Sequence, residues 1–111
     1  MARRSLGELE LLVLLAVVRL GEDRAYAVSI AEEIHERTGR SIQRATVYVT
    51  LQRLEQKGLV STRLGDPLPE RGGKARRYVR VEGPGLGALD DTRRVLSSMW
   101  NGLDLATESL S

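Results

Sequence analysis

The chain opens on a stretch, residues 6–20, in which apolar residues occupy almost every position between Leu11 and Val18. Such a run is too long for a strand and reads as a buried helix at the centre of a core. Ser5 followed by Glu8 has the pattern of a capping box ahead of it, and Gly21 is a natural stop. A second helix is predicted over residues 26–38. Ala27, Val28, Ile30, Ala31 and Ile34 make its apolar face, Glu32, Glu33, Glu36 and Arg37 its polar face, and Gly39 its end. His35 falls on the polar side and reads as a surface residue. A third helix begins at Ile42 or Gln43 and ends at Lys57, with Gly58 as its C-cap. Val47, Leu51 and Leu54 recur at spacings of four and three on its inner face.

The period then changes. Residues 59–64 read as a short strand, residues 65–73 as turn chemistry rich in Gly and Pro, and residues 74–81 as a second strand built on Tyr78, Val79 and Val81. A lone hairpin is marginal in water, so this one must pack on the helices. Gly83 and Pro84 open a last helix, with Pro84 suited to a first helical position. Leu89, Leu96, Met99, Trp100 and Leu103 recur along it at helical spacing, a stripe that seeks a second copy of the chain. Gly85, Gly87 and Gly102 each weaken that helix by about 1 kcal/mol relative to Ala.

The predicted fold is mainly α with a small β-hairpin: a winged helix-turn-helix over residues 1–82 and a C-terminal dimerisation helix over residues 83–111. With 111 residues there is room for one domain and one appended helix. Cysteine is absent and there is one His, which leaves no thiolate chemistry and no histidine cluster for a metal. Arg3 and Arg4 ahead of an apolar run look superficially like a signal peptide. Glu8 and Glu10 interrupt that run, and a soluble cytoplasmic protein is expected.

Charge adds what the apolar pattern leaves out. The net charge is only +2, yet its distribution is uneven. Residues 1–36 carry four Lys and Arg against seven Asp and Glu, residues 37–80 carry eleven against three, and residues 81–111 carry two against five. A basic block between acidic flanks points to a polyanion, and this block spans the turn, the third helix and the hairpin. In a winged helix-turn-helix the third helix enters the DNA major groove.

Its outer face suits that task. Small Ala45 and Val49 allow close approach, and Val49 can meet a thymine methyl. Thr46, Gln52 and Arg53 can hydrogen-bond base edges or phosphates, with Gln43 at the helix start. Tyr48 offers a hydroxyl to a phosphate or is a half-buried packing residue. Arg44 and Lys57 read as phosphate clamps. On the wing, Arg71, Lys74, Arg76 and Arg77 can reach phosphates or a minor groove. Side chains alternate along a strand, so Arg76 and Arg77 cannot both face DNA, and either one can be the contact. No cofactor or metal is called for. His35 lacks partners for catalysis and Gly72-Gly73 is explained by a turn, so an enzyme is not expected. The competing reading is a winged-helix protein-interaction module, in which the basic face meets an acidic protein surface instead of DNA.

The segments LGELELLVLLAVVRLGE, AYAVSIAEEIHERTG, ATVYVTLQRLEQKGLVSTRLG and PERGGKARRYVRVEGPG resemble the PadR family of bacterial transcriptional regulators. The resemblance runs from about Leu6 to Leu89 and is carried most specifically by the order and spacing of residues 48–59 and 70–78. It implies a winged helix-turn-helix, dimerised through the C-terminal helix, that usually acts as a repressor; by symmetry such a dimer should read a roughly palindromic operator. The short C-terminus is similar to the branch with a single C-terminal helix. Tyr48 matches the family's recognition-helix tyrosine, Leu51 and Leu54 its core leucines, Gly58 the glycine before the first wing strand, and Arg77 with Tyr78 its basic-aromatic pair. Ala27 stands where many members have Gly, and Val49 where many have Pro or a small residue. Gly83 and Gly85 stand where Thr-Pro-Ala-Gly is common. Some members bind flat aromatic molecules between protomers, with a Trp of the last helix stacked on the ligand. By that resemblance Trp100 is a candidate effector contact, although ordinary dimer core is the better reading of it.

Overall fold

A computed structural model describes residues 6–66 and 75–106. The element order is α1 (Glu8–Leu20), α2 (Ala27–Thr38), α3 (Arg44–Gln56), β1 (Val60–Leu64), β2 (Arg77–Val81) and α4 (Gly83–Trp100). This is the mainly helical fold with one hairpin that the pattern predicts. The ends of α1 to α3 and of both strands move by three residues at most, whereas the last helix, predicted within residues 83–111, ends at Trp100.

The reasons for those ends are local. Helix α1 starts at Glu8 rather than Leu6, because Gly7 takes the capping position and its N–H donates to Glu10 Oε1 at 2.9 Å. The reciprocal partner is therefore Glu10, and Ser5 lies outside the described residues. Tyr26 caps α2 rather than beginning it, with its N–H donated to Ser29 Oγ at 3.0 Å. Helix α3 stops at Gln56, and Gly58 takes the left-handed conformation (φ +75°) just beyond the Lys57 cap. The strands are shorter than predicted. Val60–Leu64 pairs antiparallel with Arg77–Val81, Thr62 opposite Val79 and Leu64 opposite Arg77. The predicted strand position Lys74 and the tip glycines Gly72 and Gly73 lie outside the described residues.

The core gathers one face from each of the first three helices. Val13, Leu14 and Val17 of α1 meet Ile30 and Ile34 of α2 and Val47, Leu51 and Leu54 of α3, closed from below by Leu59 and Val79. Thr50 is the one buried polar residue among those described, and its hydroxyl donates to the Thr46 carbonyl at 2.8 Å. The hairpin is fastened at its free edge, where Val79 N–H donates to the Ala25 carbonyl at 2.9 Å.

Three expectations need correction. Helix α1 is not buried all round: Leu15 and Val18 stand more than two-fifths exposed, because α4 crosses that side without covering it. Gly85 is not a weakness in α4. A Cβ there would overlap the Leu59 carbonyl oxygen and stand 2.9 Å from Val81 Cγ1, so the glycine lets α4 seat on the hairpin. Leu103 does not belong to α4. The helix ends at Trp100, and Gly102 turns the chain at φ +85°. No helix among the described residues is long and apolar enough to cross a membrane.

Candidate nucleic-acid interface

Helix α3 has two unlike faces. Its inner side is anchored by Val47, Leu51 and Leu54, of which Val47 and Leu54 have no accessible surface. Its outer side exposes Arg44, Ala45, Thr46, Tyr48, Val49, Gln52 and Arg53 together. Tyr48 is 48% and Val49 47% exposed, so neither is a core residue. Gln43 holds the capping position; its carbonyl accepts the Thr46 and Val47 N–H groups at 3.0 and 3.1 Å, and the residue is exposed. Burial on one side fixes the rotation of the helix, and so aims these groups outward.

The basic block is sorted by ion pairs. Arg37 is held by Glu33 at 2.6 Å and Arg40 by Glu8 at 2.7 Å. On the far face of the hairpin Arg63 meets Asp23 at 3.2 Å, and Arg80 meets Glu82 at 3.2 Å and Glu22 at 3.9 Å. The acidic flanks thus neutralise cations that point away from α3. Arg44, Arg53 and Arg77 make no ion pair with any described residue, and they surround the outer face of α3.

Lys57 is placed differently from a free clamp. Its Nζ lies 2.9 Å from the Glu10 carboxylate, tying the end of α3 to the first turn of α1. Burial pushes the Glu10 carboxyl up, but the Gly7 N–H and the Lys57 ammonium outweigh it and hold the group below its ordinary value of 4.5.

Arg76 and Arg77 diverge as strand alternation requires. The Arg76 guanidinium lies over the Tyr26 ring, 4.3 Å from its centroid, and Tyr26 stands edge-on to Tyr78 at 5.8 Å. Arg63 covers the Tyr78 ring at 4.9 Å. This interleaved stack braces the hairpin against the start of α2. Arg77 is exposed on the opposite face, beside α3, and its Nη1 donates to Thr62 Oγ1 at 3.1 Å. Arg71 and Lys74 lie outside the described residues.

Of these residues, sequence reasoning read Glu55, the one acid of the third helix, as projecting to a different side from the outer face, and it passed over Thr62 and the Tyr26–Arg76 contact. Glu55 and Thr62 meet across the gap between α3 and β1, where Thr62 Oγ1 donates to Glu55 Oε2 at 3.1 Å. Strand alternation puts Thr62 on the Arg77 face only once the hairpin register is known.

A second surface lies on the other side of the molecule. Helices α1 and α4 diverge to leave an apolar groove of about 620 Å³ lined by Leu11, Leu15, Leu89, Leu96 and Trp100. Leu89 is half-buried against the core, whereas every residue from Arg93 to Trp100 is exposed. Met99 is 74% exposed, and Leu103 is exposed beyond the helix end. Among the described residues no acidic or histidine cluster could hold a metal ion.

The chain matches the model of the transcriptional regulator PadR-like family over residues 14–90. It is 34% identical over 106 residues to an uncharacterized protein of Lysinibacillus sphaericus, covering 94% of this chain and 92% of that one. Among solved structures it is similar to a PadR family transcriptional regulator from Eggerthella lenta, with a TM-score of 0.67 and 27% identity over 86% of this chain and 81% of that one. A PadR family transcription regulator from Clostridium difficile shares the fold at a TM-score of 0.65 and 22% identity, covering 86% of this chain and 96% of that one.

Proposed function

The chain belongs to the PadR-like family of transcriptional regulators, and from that premise we propose that it is a homodimeric repressor that reads a palindromic operator through α3. The observation that carries this reading is the outer face of α3. Tyr48 and Val49 stand about half exposed among polar and basic neighbours, while the opposite face is sealed in the core. Two adjacent half-exposed apolar side chains set among polar and basic ones suit a face that meets a partner. Small Ala45 and apolar Val49 fit a groove floor, Thr46, Gln52 and Arg53 fit base edges, and Arg44 and Arg77 fit phosphates on either side.

Helix α4 supports the dimer. Its 18 residues span about 27 Å, and every residue of its last two turns is exposed. We assign the α1–α4 groove to a second copy of the chain rather than to a small effector. Met99 and Leu103, which do not line the groove, expose further apolar surface around the end of α4 that a ligand held in the groove would leave uncovered. Quenching of Trp100 fluorescence by planar aromatic compounds at constant dimer content would reverse that assignment.

Selection of duplexes from a random library by the purified protein, at two salt concentrations, tests the function. The expected product is a palindrome whose half-sites lie about one helical turn, roughly 34 Å, apart. Retention that is steeply salt-dependent but yields no motif would leave a non-specific binder. No retention at low salt would favour the protein-interaction module.

A further inference from the structure

Three side chains link the recognition helix to the wing. Tyr48, Gln52 and Glu55 recur on one edge of α3, and that edge faces Thr62 and Arg77 across a notch of about 330 Å³. Thr62 and Arg77 share a face of the hairpin because Leu64 pairs with Arg77 and Thr62 with Val79. Arg77 Nη1 donates to Thr62 Oγ1 at 3.1 Å, and Thr62 Oγ1 donates to Glu55 Oε2 at 3.1 Å.

The chemistry of the hydroxyl makes this a directed relay. An ionised carboxylate can only accept, so the single O–H of Thr62 donates to Glu55 and the oxygen lone pairs turn toward the wing. Arg77 can only donate, and it meets those lone pairs. One of the five guanidinium N–H groups is used, and the others are left for a ligand at the notch. Arg77 would otherwise be a long side chain on an exposed strand, with much rotamer entropy to lose on binding.

We propose that Glu55 and Thr62 are positioning residues that hold Arg77 ready for one DNA phosphate at the junction of recognition helix and wing. The proposal rests on the reading of α3 as the DNA-binding helix. Tyr48, on the same edge, is placed to offer its hydroxyl to the same phosphate. The acid is thereby given a role that its charge alone would deny it, since a carboxylate beside DNA repels phosphate.

That contradiction supplies the test. The full-length protein is titrated onto the duplex that the wild type recovers from a random library, and onto random duplex of the same length. Arg77→Ala should weaken both to a similar degree and lower the salt slope by about one. Thr62→Val should weaken binding about threefold to tenfold, the range for one lost hydrogen bond, while Thr62→Ser keeps wild-type affinity. Neither duplex should register Thr62→Val once Arg77 is already Ala. Glu55→Ala should weaken binding when Arg77 is present and strengthen it when Arg77 is Ala, where only the lost repulsion remains. Strengthening by Glu55→Ala in both backgrounds would overturn the relay, as would an equal loss from Thr62→Val in both, or an Arg77→Ala variant that binds like the wild type. If the wild type retains no duplex, the DNA-binding reading falls and takes the relay with it.

Discussion

Glu10 carries two tasks with one carboxylate. It accepts the N–H of Gly7, which starts α1, and it pairs with Lys57, which ends α3. Because its pKa is depressed in the folded chain, its contribution to stability is present above the unfolded value of about 4.5 and is lost as pH falls through the folded value. Glu10→Gln keeps an acceptor for Gly7 but removes the charge. It should cost about 1 kcal/mol at pH 7, and the difference from wild type should vanish in thermal melts carried out below the folded pKa. Arg53 makes a different prediction. If it reads a base, Arg53→Ala should weaken operator binding by about 1 to 3 kcal/mol more than random-duplex binding. Equal losses on the two duplexes would make it a phosphate contact. These roles were unequally legible in the chain. The outer face of α3 followed from helical spacing around Val47, Leu51 and Leu54. The pairing of Lys57 with Glu10 joins residues distant in sequence, and no local pattern encodes it.

At the scale of the element, α4 shows how a residue that is poor for a helix can be required by packing. Gly85 lies where the helix crosses the hairpin, against the Leu59 carbonyl and Val81. Gly87 is two positions along, with open space where a Cβ would stand. Helix propensity alone ranks Ala above Gly at both by about 1 kcal/mol. Gly85→Ala should nevertheless lower stability, by about 1 to 3 kcal/mol, since backbone must move to admit the methyl group. Gly87→Ala should raise it by about 0.5 to 1 kcal/mol. Chemical denaturation of the two variants reads the difference, and a stabilised Gly85→Ala would mean that α4 seats more loosely than described. The hairpin teaches a related point. Its two strands were legible from Tyr78, Val79 and Val81, but the facing of Arg76 and Arg77 waited on register and on the Tyr26 ring that receives Arg76.

At the scale of the whole molecule, the radius of gyration is 16.4 Å, where a compact domain of about 100 residues has about 13 Å. The excess is consistent with the far end of α4 standing off the core, together with the exposed side of α1. We expect this surface to be closed by a partner protomer. Leu96→Asp puts a charge in the middle of it, away from the hydrophobic core. Sedimentation should show a folded monomer, and operator affinity should fall because two recognition helices no longer bind as a unit. A Leu96→Asp variant that stays dimeric would move the interface elsewhere.

The chain by itself determined the order of its elements, the inner face of each helix and the position of the basic block. All of these are properties of periodicity and composition, which act over a few residues and need no knowledge of the partner surface. Tertiary structure alone decided which cations remain available. Glu8, Glu10, Glu22 and Asp23, all early in the chain, return to neutralise Arg40, Lys57, Arg80 and Arg63. It also decided that one side of α1, apolar all round in sequence, stays open, and that Gly85 is a contact rather than a flaw. Each of these depends on which residues, far apart along the chain, come within a few ångströms when the helices cross, and steric exclusion and charge pairing act only at that range.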